Sequence, residues 1–572
     1  MTMIPLKRPI LPGARRTLSL LCGLSLILWT LPSQCAEPLS PPNIVLILAD
    51  DMGFSDVGCF GSEIATPNID RLAAQGVRFT QFYNTGRCCP TRAALLTGLY
   101  SHQTGVGQMI EDRGWPAYRG EINDRGITLA EALAGAGYRT DMVGKWHLVH
   151  MRITGKPQIN HQNQDPFWFD KKNWPMQRGF ESFFGTIIGV GDYFDPFALV
   201  ANNEPMATVP PGFYYTDAIA ERAAERITEN AKTSKPFFLY AAFTAPHWPL
   251  QAMPEDIQKY ESAYVLGWDE LRAHRHERQI KLGIIDPRWT LAPRETEVIA
   301  WEEMPNKAWD AHRMAVYAAQ IDRLDQGVGK ILKALDESGA AANTAVIFLS
   351  DNGGCAENVQ RNWFDVTTET RDGRKVQVGN DPAFRAGPET VYQSYGPGWA
   401  NASNTPFRRY KHFAHEGGIA TPFIVRWPAG ISKTGEILNE RGHVIDLMPT
   451  CLELASGTYP AQYQGRPILP EEGQSLVSAL LSRPHAERAP MFWEHEGNRA
   501  VRIGHWKLVA ANKRHWELYD MEVDRTETRD LSADHPKKVK EMEAVYQQWA
   551  DRVGVQPWPP PKLPPPARAL SD

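Results

Sequence analysis

The chain has no large excess of charge of either sign. Its 61 lysines and arginines nearly balance its 66 aspartates and glutamates, which gives a formal charge of -5 at pH 7. General nucleic-acid binding requires a basic face, so this balance argues against nucleic acid as a partner. An anionic ligand would have to be met by a few locally placed cations.

Cysteine is also scarce. Seven cysteines occur in 572 residues, and two of them, Cys22 and Cys35, fall within the first 36 residues. The other five are too few, and odd in number, for a disulfide scaffold. They allow at most two disulfides and leave one thiol that needs another role. These five are Cys59, Cys88, Cys89, Cys355 and Cys451.

Long hydrophobic runs are absent too. A membrane-spanning helix needs about 20 apolar residues, whereas the run LSLLCGLSLILW at 18–29 has only twelve residues. Four basic residues precede this run and small residues follow it, which is the pattern of a secretory signal peptide. We therefore expect a signal peptide at 1–36 and an exported protein, periplasmic or secreted, without stable membrane insertion after signal removal. A retained N-terminal anchor is the alternative.

Helical and strand-like segments alternate along most of the chain. Apolar, β-branched runs such as NIVLILA and TAVIFLS alternate with amphipathic stretches such as TDAIAERAAERITEN. This alternation predicts parallel βαβ units. We expect an α/β fold with a large mixed, mostly parallel sheet sandwiched by helices.

The C-terminal part has a different pattern. From about residue 488, short strands such as RAVRIGHWKLVAA and WELYD precede a final helix, which predicts a smaller antiparallel sheet plus helix. The chain is longer than the roughly 250–300 residues at which one hydrophobic core stops growing. We predict a main α/β domain at 37–487, a small α+β subdomain at 488–552 and a proline-rich tail at 553–572. Two segments rich in tryptophan and proline, about 150–210 and 255–308, show no clear period and are expected to be insertions that wall a pocket.

Acidic residues follow two of the predicted strands. Asp50 and Asp51 end one strand, and Asp351 and Asn352 end another. Ligands in parallel sheets bind beyond the carboxyl ends of the strands, and oxygen ligands of this kind suit a hard cation such as Ca²⁺ or Mg²⁺. Each pair alone could equally be a solvated turn, but together they supply three carboxylates and an amide for one divalent cation.

Basic and imidazole side chains follow other strands. Lys145 and His147 are two residues apart, so on a strand they would face the same side and could meet one anion. His247 lies between two prolines, and Lys411 precedes a glycine-rich turn. Each has an ordinary alternative, namely a surface lysine, a structural histidine or a basic loop.

The stretch GRCCPTRAALLTG places Cys88 at the start of a predicted helix, with Arg92 four residues on. A helix N-terminus and a guanidinium both favour a thiolate or another anion. Hydrolysis by an unmodified cysteine would need a base and a group that orients it, and this stretch contains neither.

At this point the residues resemble a known family. CCPTRAALLTG is similar to the sulfatase signature, Cys-x-Pro-(Ser/Thr/Ala)-Arg-x-x-x-Leu-x-Thr-Gly, and GYRTDMVGKWH resembles a second sulfatase motif. ADDMG, APHWP, SDNGG and the segment 411–418 match further blocks of that family in the expected order. The resemblance runs from about residue 43 to 530. Arg87, Thr91 and Ala420 depart from the commonest residues of the family, and none of these departures removes a core residue.

The resemblance implies an alkaline phosphatase-like fold and a sulfuric ester hydrolase of the arylsulfatase type. A maturation enzyme would oxidise Cys88 to formylglycine, whose hydrated aldehyde attacks the sulfur of a small-molecule or carbohydrate sulfate ester. One Ca²⁺ would be bound by Asp50, Asp51, Asp351, Asn352 and the modified residue 88.

The family also implies roles for the remaining residues. Arg92 and Lys145 would stabilise the nucleophile, and His147 would act as the base that releases sulfate. His247 and Lys411 would hold the sulfate and help protonate the leaving oxygen. Two alternatives stay open: a phosphomonoester, phosphodiester or phosphonate hydrolase on the same fold, and a non-catalytic binder of sulfated glycans.

Overall fold

The computed structural model describes residues 40–150, 170–189, 191–361, 363 and 366–561. The predicted signal peptide at 1–36 and the proline-rich tail beyond residue 561 lie outside these ranges. Within them, no helix combines the length and the apolar character that crossing a membrane requires.

The strands of the described residues, in chain order, are β1 (Asn43–Ala49), β2 (Val77–Tyr83), β3 (Arg139–Gly144), β4 (Ser182–Thr186), β5 (Leu199–Ala201), β6 (Glu204–Pro205), β7 (Phe237–Ala242), β8 (Thr344–Ser350), β9 (Gln377–Val378), β10 (Val391–Tyr392), β11 (Ala420–Arg426), β12 (Glu436–His443), β13 (Gln462–Tyr463), β14 (Arg466–Pro467), β15 (Met491–His495), β16 (Asn498–Ile503), β17 (Trp506–Ala510) and β18 (Glu517–Asp520).

The α-helices of the same ranges are α1 (Pro67–Gln75), α2 (Cys88–Thr97), α3 (Leu129–Gly135), α4 (Tyr215–Asn230), α5 (Pro254–Gln258), α6 (Gly267–Lys281), α7 (Lys307–Glu337), α8 (Gly396–Ser403), α9 (Glu416–Ile419), α10 (Leu447–Leu454), α11 (Val477–Leu480) and α12 (Pro536–Val553).

The largest sheet has the strand order β12-β2-β11-β8-β1-β7-β3-β4-β5-β6. Its centre is parallel: β8, β1, β7, β3 and β4 run side by side in one direction. β11 is antiparallel to both of its neighbours, and β5 and β6 are antiparallel at one edge. The predicted large mixed, mostly parallel sheet is confirmed.

The sheet is buried on both faces, which explains why its central strands are apolar throughout. Successive residues of β1 alternate between two hydrophobic cores: Val45 and Ile47 belong to one, and Ile44, Leu46 and Leu48 to the other. α1, α4 and α7 pack into the first core, and α2, α3, α10 and α12 into the second. This is the layer arrangement expected of helices on either side of a mostly parallel sheet.

The C-terminal part is a four-stranded antiparallel sheet in the order β15-β16-β17-β18, followed by α12. This confirms the smaller sheet and the final helix that the sequence predicts. Side chains of this sheet enter both cores, for example Trp493 in the first and Leu508 in the second. The boundary between domains at 487/488 stays a prediction.

The expectation of two irregular insertions is wrong for most of their length. Within 150–210, the part from 170 onward contributes β4, β5 and β6 to the main sheet, while 151–169 and residue 190 lie outside the described residues. The segment 255–308 contains α6 and most of α5. Its Trp268 and Trp301 pack in the core against Trp399, with ring centroids 5.3 and 5.5 Å away.

Candidate active site

The register of the central strands brings four chain segments to one edge of the sheet. Ala49 of β1 lies level with Ser350 of β8, and Ala242 of β7 lies between Leu48 and Gly144 of its two neighbours. The residues that follow each strand therefore meet above the carboxyl ends, where ligands bind in such sheets. The predicted site residues on these segments do converge there.

The acidic residues form one buried cluster. The Asn352 amide donates to Asp51 Oδ1 at 2.6 Å, and the backbone N–H of Asp51 donates to Asp351 Oδ1 at 3.2 Å. Two oxygens that point into the cluster, Asp50 Oδ1 and Asn352 Oδ1, are buried without a hydrogen-bond partner among the described residues. Buried oxygens of this kind ordinarily have a partner, and an all-oxygen set with free ligand atoms fits a hard divalent cation.

Three cations neutralise part of this negative charge. Arg92 donates to Asp351 Oδ2 from Nε and Nη2, and its Nη2 lies 3.6 Å from Asp50 Oδ2. Lys145 forms an ion pair with Asp50, and Lys411 Nζ lies 2.8 and 2.9 Å from the two carboxylate oxygens of Asp51. All of these side chains are almost completely buried.

The charge balance is visible in the pKa of the carboxyl groups. Burial, together with the neighbouring charge of Asp50, raises the pKa of Asp351 to about 8. Burial would also raise the pKa of Asp51, but His247 and Lys411 outweigh it and lower that pKa. The pKa of Asp351 therefore stays raised mainly because the carboxyl group is removed from water, an effect that the bound Arg92 does not fully offset.

Lys145 and His147 reach the site by a route that the sequence did not predict. β3 ends at Gly144, so the two residues are not on a strand. Gly144 has a φ of 102°, and a Cβ there would lie 1.9 Å from the carbonyl oxygen of Ala242. His147 is also in the left-handed region, with a φ of 61°. Beyond β3, the backbone N–H groups of Trp146 and His147 donate to the carbonyl oxygens of Thr186 and Ile187. From this segment the Lys145 side chain reaches Asp50, and the His147 side chain reaches Cys88.

Cys88 is the first residue of α2 and is 1% exposed. A hydrogen bond from Cys89 lowers the pKa of the Cys88 thiol well below its usual value, and the charge of Lys145 and a hydrogen bond from His147 add to the effect. Three potential ligand atoms, one each from Cys88, Cys89 and His147, lie within 4.8 Å of one another. The predicted position of Cys88 at the start of a helix is confirmed.

His147 and His247 are both held neutral. Burial lowers the pKa of His147 to about 3 and that of His247 to about 4. His247 Nδ1 lies 2.6 Å from the Trp248 carbonyl oxygen, so this nitrogen carries the proton and Nε2 faces Lys411 Nζ at 3.5 Å. Both imidazoles are therefore unprotonated at neutral pH, and each has one ring nitrogen that can accept a hydrogen bond.

A cavity of about 250 Å³ opens onto these groups. Cys88, His147, His247 and Lys411 lie along it, and its walls are largely apolar. The wall residues are Met109, Ile110, Ile188, Trp248 and Trp363. Of the two segments expected to wall a pocket, 150–210 contributes Ile188 and Gly189 to this cavity, whereas no described residue of 255–308 lines it.

Glu357 is a cavity residue that sequence reasoning missed. It accepts hydrogen bonds from Arg87 at 2.7 Å and from Trp248 Nε1 at 3.1 Å, and it lies 3.7 Å from Lys411 Nζ. Burial would raise the pKa of Glu357, but Arg87, Lys411 and His412 outweigh it and hold that pKa well below its usual value. Its one sequence signal is a carboxylate five residues after Asn352, shortly beyond the Gly-Gly turn.

The five cysteines in the described residues form no disulfide. Cys59, Cys88, Cys89, Cys355 and Cys451 are all buried free thiols. Burial raises the pKa of each of them except Cys88. Cys88 is therefore the one thiol of this set whose surroundings favour reaction.

Comparison with known proteins gives a consistent result. The sulfatase family model matches residues 42–458, and the model described as N-sulphoglucosamine sulphohydrolase, C-terminal, matches residues 408–552. The chain is 34% identical to an uncharacterized sulfatase of Schizosaccharomyces pombe, over 90% of this chain and 94% of that protein. It is 33% identical to an arylsulfatase of Klebsiella aerogenes, over 79% of this chain and 94% of the relative.

The fold has solved counterparts. The crystal structure of Ps i-CgsB in complex with k-i-k-neocarrahexaose superposes with a TM-score of 0.63 and covers 89% of this chain and 93% of that one. The sequence identity is 24%, so this likeness is one of fold.

Proposed function

Because the chain belongs to the sulfatase family, we propose that it hydrolyses a sulfate monoester to an alcohol or phenol and sulfate. The observation that carries the proposal is the position of Cys88. It begins a helix and lines a cavity together with Lys411. Lys411 pairs with Asp51 of the buried carboxylate cluster, and the buried cation Arg92 pairs with Asp351 of that cluster. Such an arrangement suits a substrate that brings negative charge and gains more of it on its leaving oxygen.

We propose that Cys88 is oxidised to formylglycine, whose hydrate supplies the nucleophilic oxygen. Arg92 and Lys145 lie on the carboxylate side of this position and favour an anion there. His147 is neutral and in hydrogen-bond contact with residue 88. It could therefore take up the proton of the hydrate's second hydroxyl, the one that does not carry the sulfate, as sulfate is expelled and the aldehyde re-forms.

The cluster formed by Asp50, Asp51, Asp351 and Asn352 is the proposed site of one Ca²⁺. Its donors are all oxygen, and two of its buried oxygens have no hydrogen-bond partner among the described residues, which supports a hard cation. Bound there, the ion would withdraw electron density from a sulfate oxygen as a Lewis acid. The same residues also orient Lys145, Lys411 and Arg92 through ion pairs.

Lys411 and His247 are the proposed contacts for the sulfate group and its leaving oxygen. Lys411 stays protonated because Asp51 and Glu357 raise its pKa despite burial. Its Nζ lies 3.5 Å from His247 Nε2, so the two side chains can share a proton and deliver it to the departing oxygen. A protonated leaving group departs far more easily than an alkoxide.

For the substrate, we propose an aryl sulfate or a sulfated sugar whose ring enters the cavity. Trp248 and Trp363 lie on the wall with ring centroids 5.6 Å apart. Aromatic rings of this kind pack against the flat face of an aryl group or a sugar. Its relatives include an arylsulfatase of Klebsiella aerogenes, and a structure of similar fold was solved in complex with a neocarrahexaose, which supports both classes.

A phosphorus ester is the second candidate, because the same cations and carboxylates would stabilise a phosphoryl group. Parallel turnover of an aryl sulfate and an aryl phosphate separates the two. We expect the sulfate to be the better substrate by kcat/KM. Preference for the phosphate would overturn the proposal of sulfatase activity.

The decisive experiment combines mass spectrometry with a substitution. In protein from its native host, the peptide containing Cys88 should carry formylglycine, and Cys88→Ala should abolish turnover of the aryl sulfate. Cys451→Ala is the matched control, since Cys451 is equally buried in α10 but has no part in the site. Unmodified Cys88 in active protein would refute the nucleophile assignment.

Export and maturation belong to the same proposal. We propose that residues 1–36 are removed on export to the periplasm or beyond, and that a formylglycine-generating enzyme acts on Cys88. N-terminal sequencing of the mature protein tests the first point. A mature chain that begins before residue 36 would contradict it.

A further inference from the structure

A second group of metal-ligating side chains lies beside the catalytic cavity. It consists of His412, His495 and Glu496, and one ligand atom of each lies within 4.8 Å of the other two. His412 directly follows Lys411, His495 ends β15, and Glu496 lies in the turn that joins β15 to β16. We refer to these three residues as the His–Glu cluster.

His412 is held between two carboxylates. Its Nδ1 lies 3.1 Å from Glu496 Oε2, and its Nε2 lies 3.0 Å from Glu357 Oε1. A neutral imidazole carries one proton, so it can donate to only one of the two carboxylates. The other contact then joins two lone pairs and requires a cation between them. That cation is either a second proton on His412 or a metal ion.

His495 supplies an independent observation. The residue is 2% exposed, and neither of its ring nitrogens has a hydrogen-bond partner among the residues that the structure describes. Its Nε2 lies 3.9 Å from Glu496 Oε2. A buried imidazole with both nitrogens unsatisfied is costly, and a ligand in the space between His495, Glu496 and His412 would remove that cost.

Surrounding groups fix the orientation of the cluster. Gln108 donates to Glu496 Oε1 at 3.2 Å, which leaves Oε2 for the cluster. A hydrogen bond from His412 Nε2 to Glu357 would leave the Nδ1 lone pair for a metal, which is the carboxylate–histidine–metal arrangement found in many zinc sites. Arg87 Nη1 lies 2.5 Å from the same Nε2; donation from Arg87 would instead place the proton on Nδ1, which is the alternative to a metal.

We propose that His412, His495 and Glu496 bind one divalent transition metal ion, of the chemical class of Zn²⁺. Two imidazoles and one carboxylate form a ligand set that suits Zn²⁺. The all-oxygen carboxylate cluster beside Cys88 suits Ca²⁺ instead. The ion would join the C-terminal sheet, through His495 and Glu496, to the segment that carries Lys411.

The test uses the full chain with Cys88→Ala, so that no thiolate of residue 88 competes for the metal. The protein is stripped with a chelator and reloaded with Ca²⁺, and then Co²⁺ is added as a spectroscopic probe and Zn²⁺ is titrated by calorimetry. We expect one Co²⁺ per chain, with the intense visible absorption of a tetrahedral site, and displacement of Co²⁺ by Zn²⁺.

Three further variants in this background locate the site. His495→Ala, Glu496→Gln and His412→Asn should each weaken Zn²⁺ binding by about tenfold or more. Asparagine suits position 412 because that residue has a φ of 82°, a region that asparagine tolerates. His485→Ala, at an exposed histidine outside the cluster, is the matched control and should bind as the parent does.

The unfolding temperature separates a lost ligand from a lost fold. Without metal, Glu496→Gln and His412→Asn should unfold close to the parent, and only the parent should gain stability on addition of Zn²⁺. Absence of the Co²⁺ absorption in the folded parent would overturn the proposal. Zn²⁺ binding that survives all three substitutions would also overturn it, because the ion would then bind elsewhere.

Discussion

Arg92 donates through Nε and Nη2 to a single carboxylate oxygen of Asp351, at 3.0 and 2.7 Å, and both side chains are completely buried. Arg92 belongs to α2, whose first residue is Cys88, and Asp351 follows β8. Arg92 Nη1 also donates to the carbonyl oxygen of Lys145 at 2.9 Å. One guanidinium therefore fixes the nucleophile helix relative to the carboxylate cluster and to the segment after β3.

Arg92→Lys should lower kcat/KM for an aryl sulfate by about 100-fold or more. Loss of a single preorganised donor at an anionic centre costs about 10²–10³ in rate. An ammonium cannot reproduce the two contacts with Asp351 together with the contact with the Lys145 carbonyl. Steady-state kinetics measure the effect. Arg222→Lys, at an exposed helix position, is the control and should match wild type, whereas near-wild-type kinetics of Arg92→Lys would show that the three contacts are dispensable.

Asp351→Asn should lose both bound Ca²⁺ and activity. The substitution keeps the shape of the side chain but removes a charged ligand, and it leaves Arg92 without its main partner. Calcium per chain is measured by atomic emission after gel filtration, beside the aryl sulfatase rate. The exposed Asp551→Asn is the matched control.

A complementary prediction concerns removal of divalent ions from the wild-type enzyme by a chelator. Removal of divalent ions should abolish activity and lower the unfolding temperature, because the three carboxylates are then left together in a buried site. Addition of Ca²⁺ should restore both. Full activity after exhaustive chelation would contradict the metal role of the carboxylate cluster.

Cys89→Ala should retain activity within about threefold. Cys89 is a buried thiol whose pKa is raised by burial, so we expect it to act as a small packing residue and not as a reactant. Its loss removes the hydrogen bond to the Cys88 thiol, a bond that vanishes in any case once residue 88 is oxidised. Formylglycine content and kcat together test this, and a loss of activity equal to that of Cys88→Ala would assign Cys89 a catalytic part.

The parts of the site that the sequence predicted are those that obey the geometry of a parallel sheet. Asp50, Asp51, Asp351 and Asn352 directly follow strands, so the rule that strand ends meet at one edge was enough to group them. Cys88 could be placed because a helix start is a local signal. The fold was readable for the same reason, since buried strands and amphipathic helices alternate in plain sequence patterns.

The parts that could not be predicted depend on contacts distant in sequence. His495 and Glu496 belong to the C-terminal sheet and lie on its side toward the cavity. No local sequence pattern predicts which other segment their turn contacts. The position of His147 depends on its own left-handed backbone conformation, with a positive φ, in the segment beyond β3. α6 has few apolar residues and charged residues at many positions. The hydrophobic period of a helix is therefore not apparent in its sequence, GWDELRAHRHERQIK.

A second buried charge network joins the C-terminal sheet to the main sheet. Lys507 of β17 lies 2.8 Å from both Glu416 Oε1 and Glu527 Oε1, and Arg525 donates to Glu416 Oε2 at 2.8 Å. Lys507→Met leaves two buried carboxylates with less compensation, which costs about 3–5 kcal/mol. Urea unfolding at neutral pH should show this loss, while Lys540→Met, at an exposed position of α12, should stay within about 0.5 kcal/mol of wild type.

Because of the same network, the free energy of unfolding should depend on pH in a defined acidic range. Burial would raise the pKa of Glu416, but Lys507 and Arg525 outweigh it and lower that pKa to about 2, from 4.5 in an unfolded chain. Because the folded-state pKa is the lower one, the ion pairs stabilise the protein fully above about pH 4.5, and this stability is lost as the pH falls through 4.5 toward 2. Glu416→Gln cannot titrate, so the gap in unfolding free energy between it and wild type should be constant from about pH 7 to 5 and should narrow below 4.5. Urea unfolding across this range measures the gap, with the exposed Glu541→Gln as control. A gap that stays constant down to about pH 3 would mean that Glu416 is not the titrating member of the network.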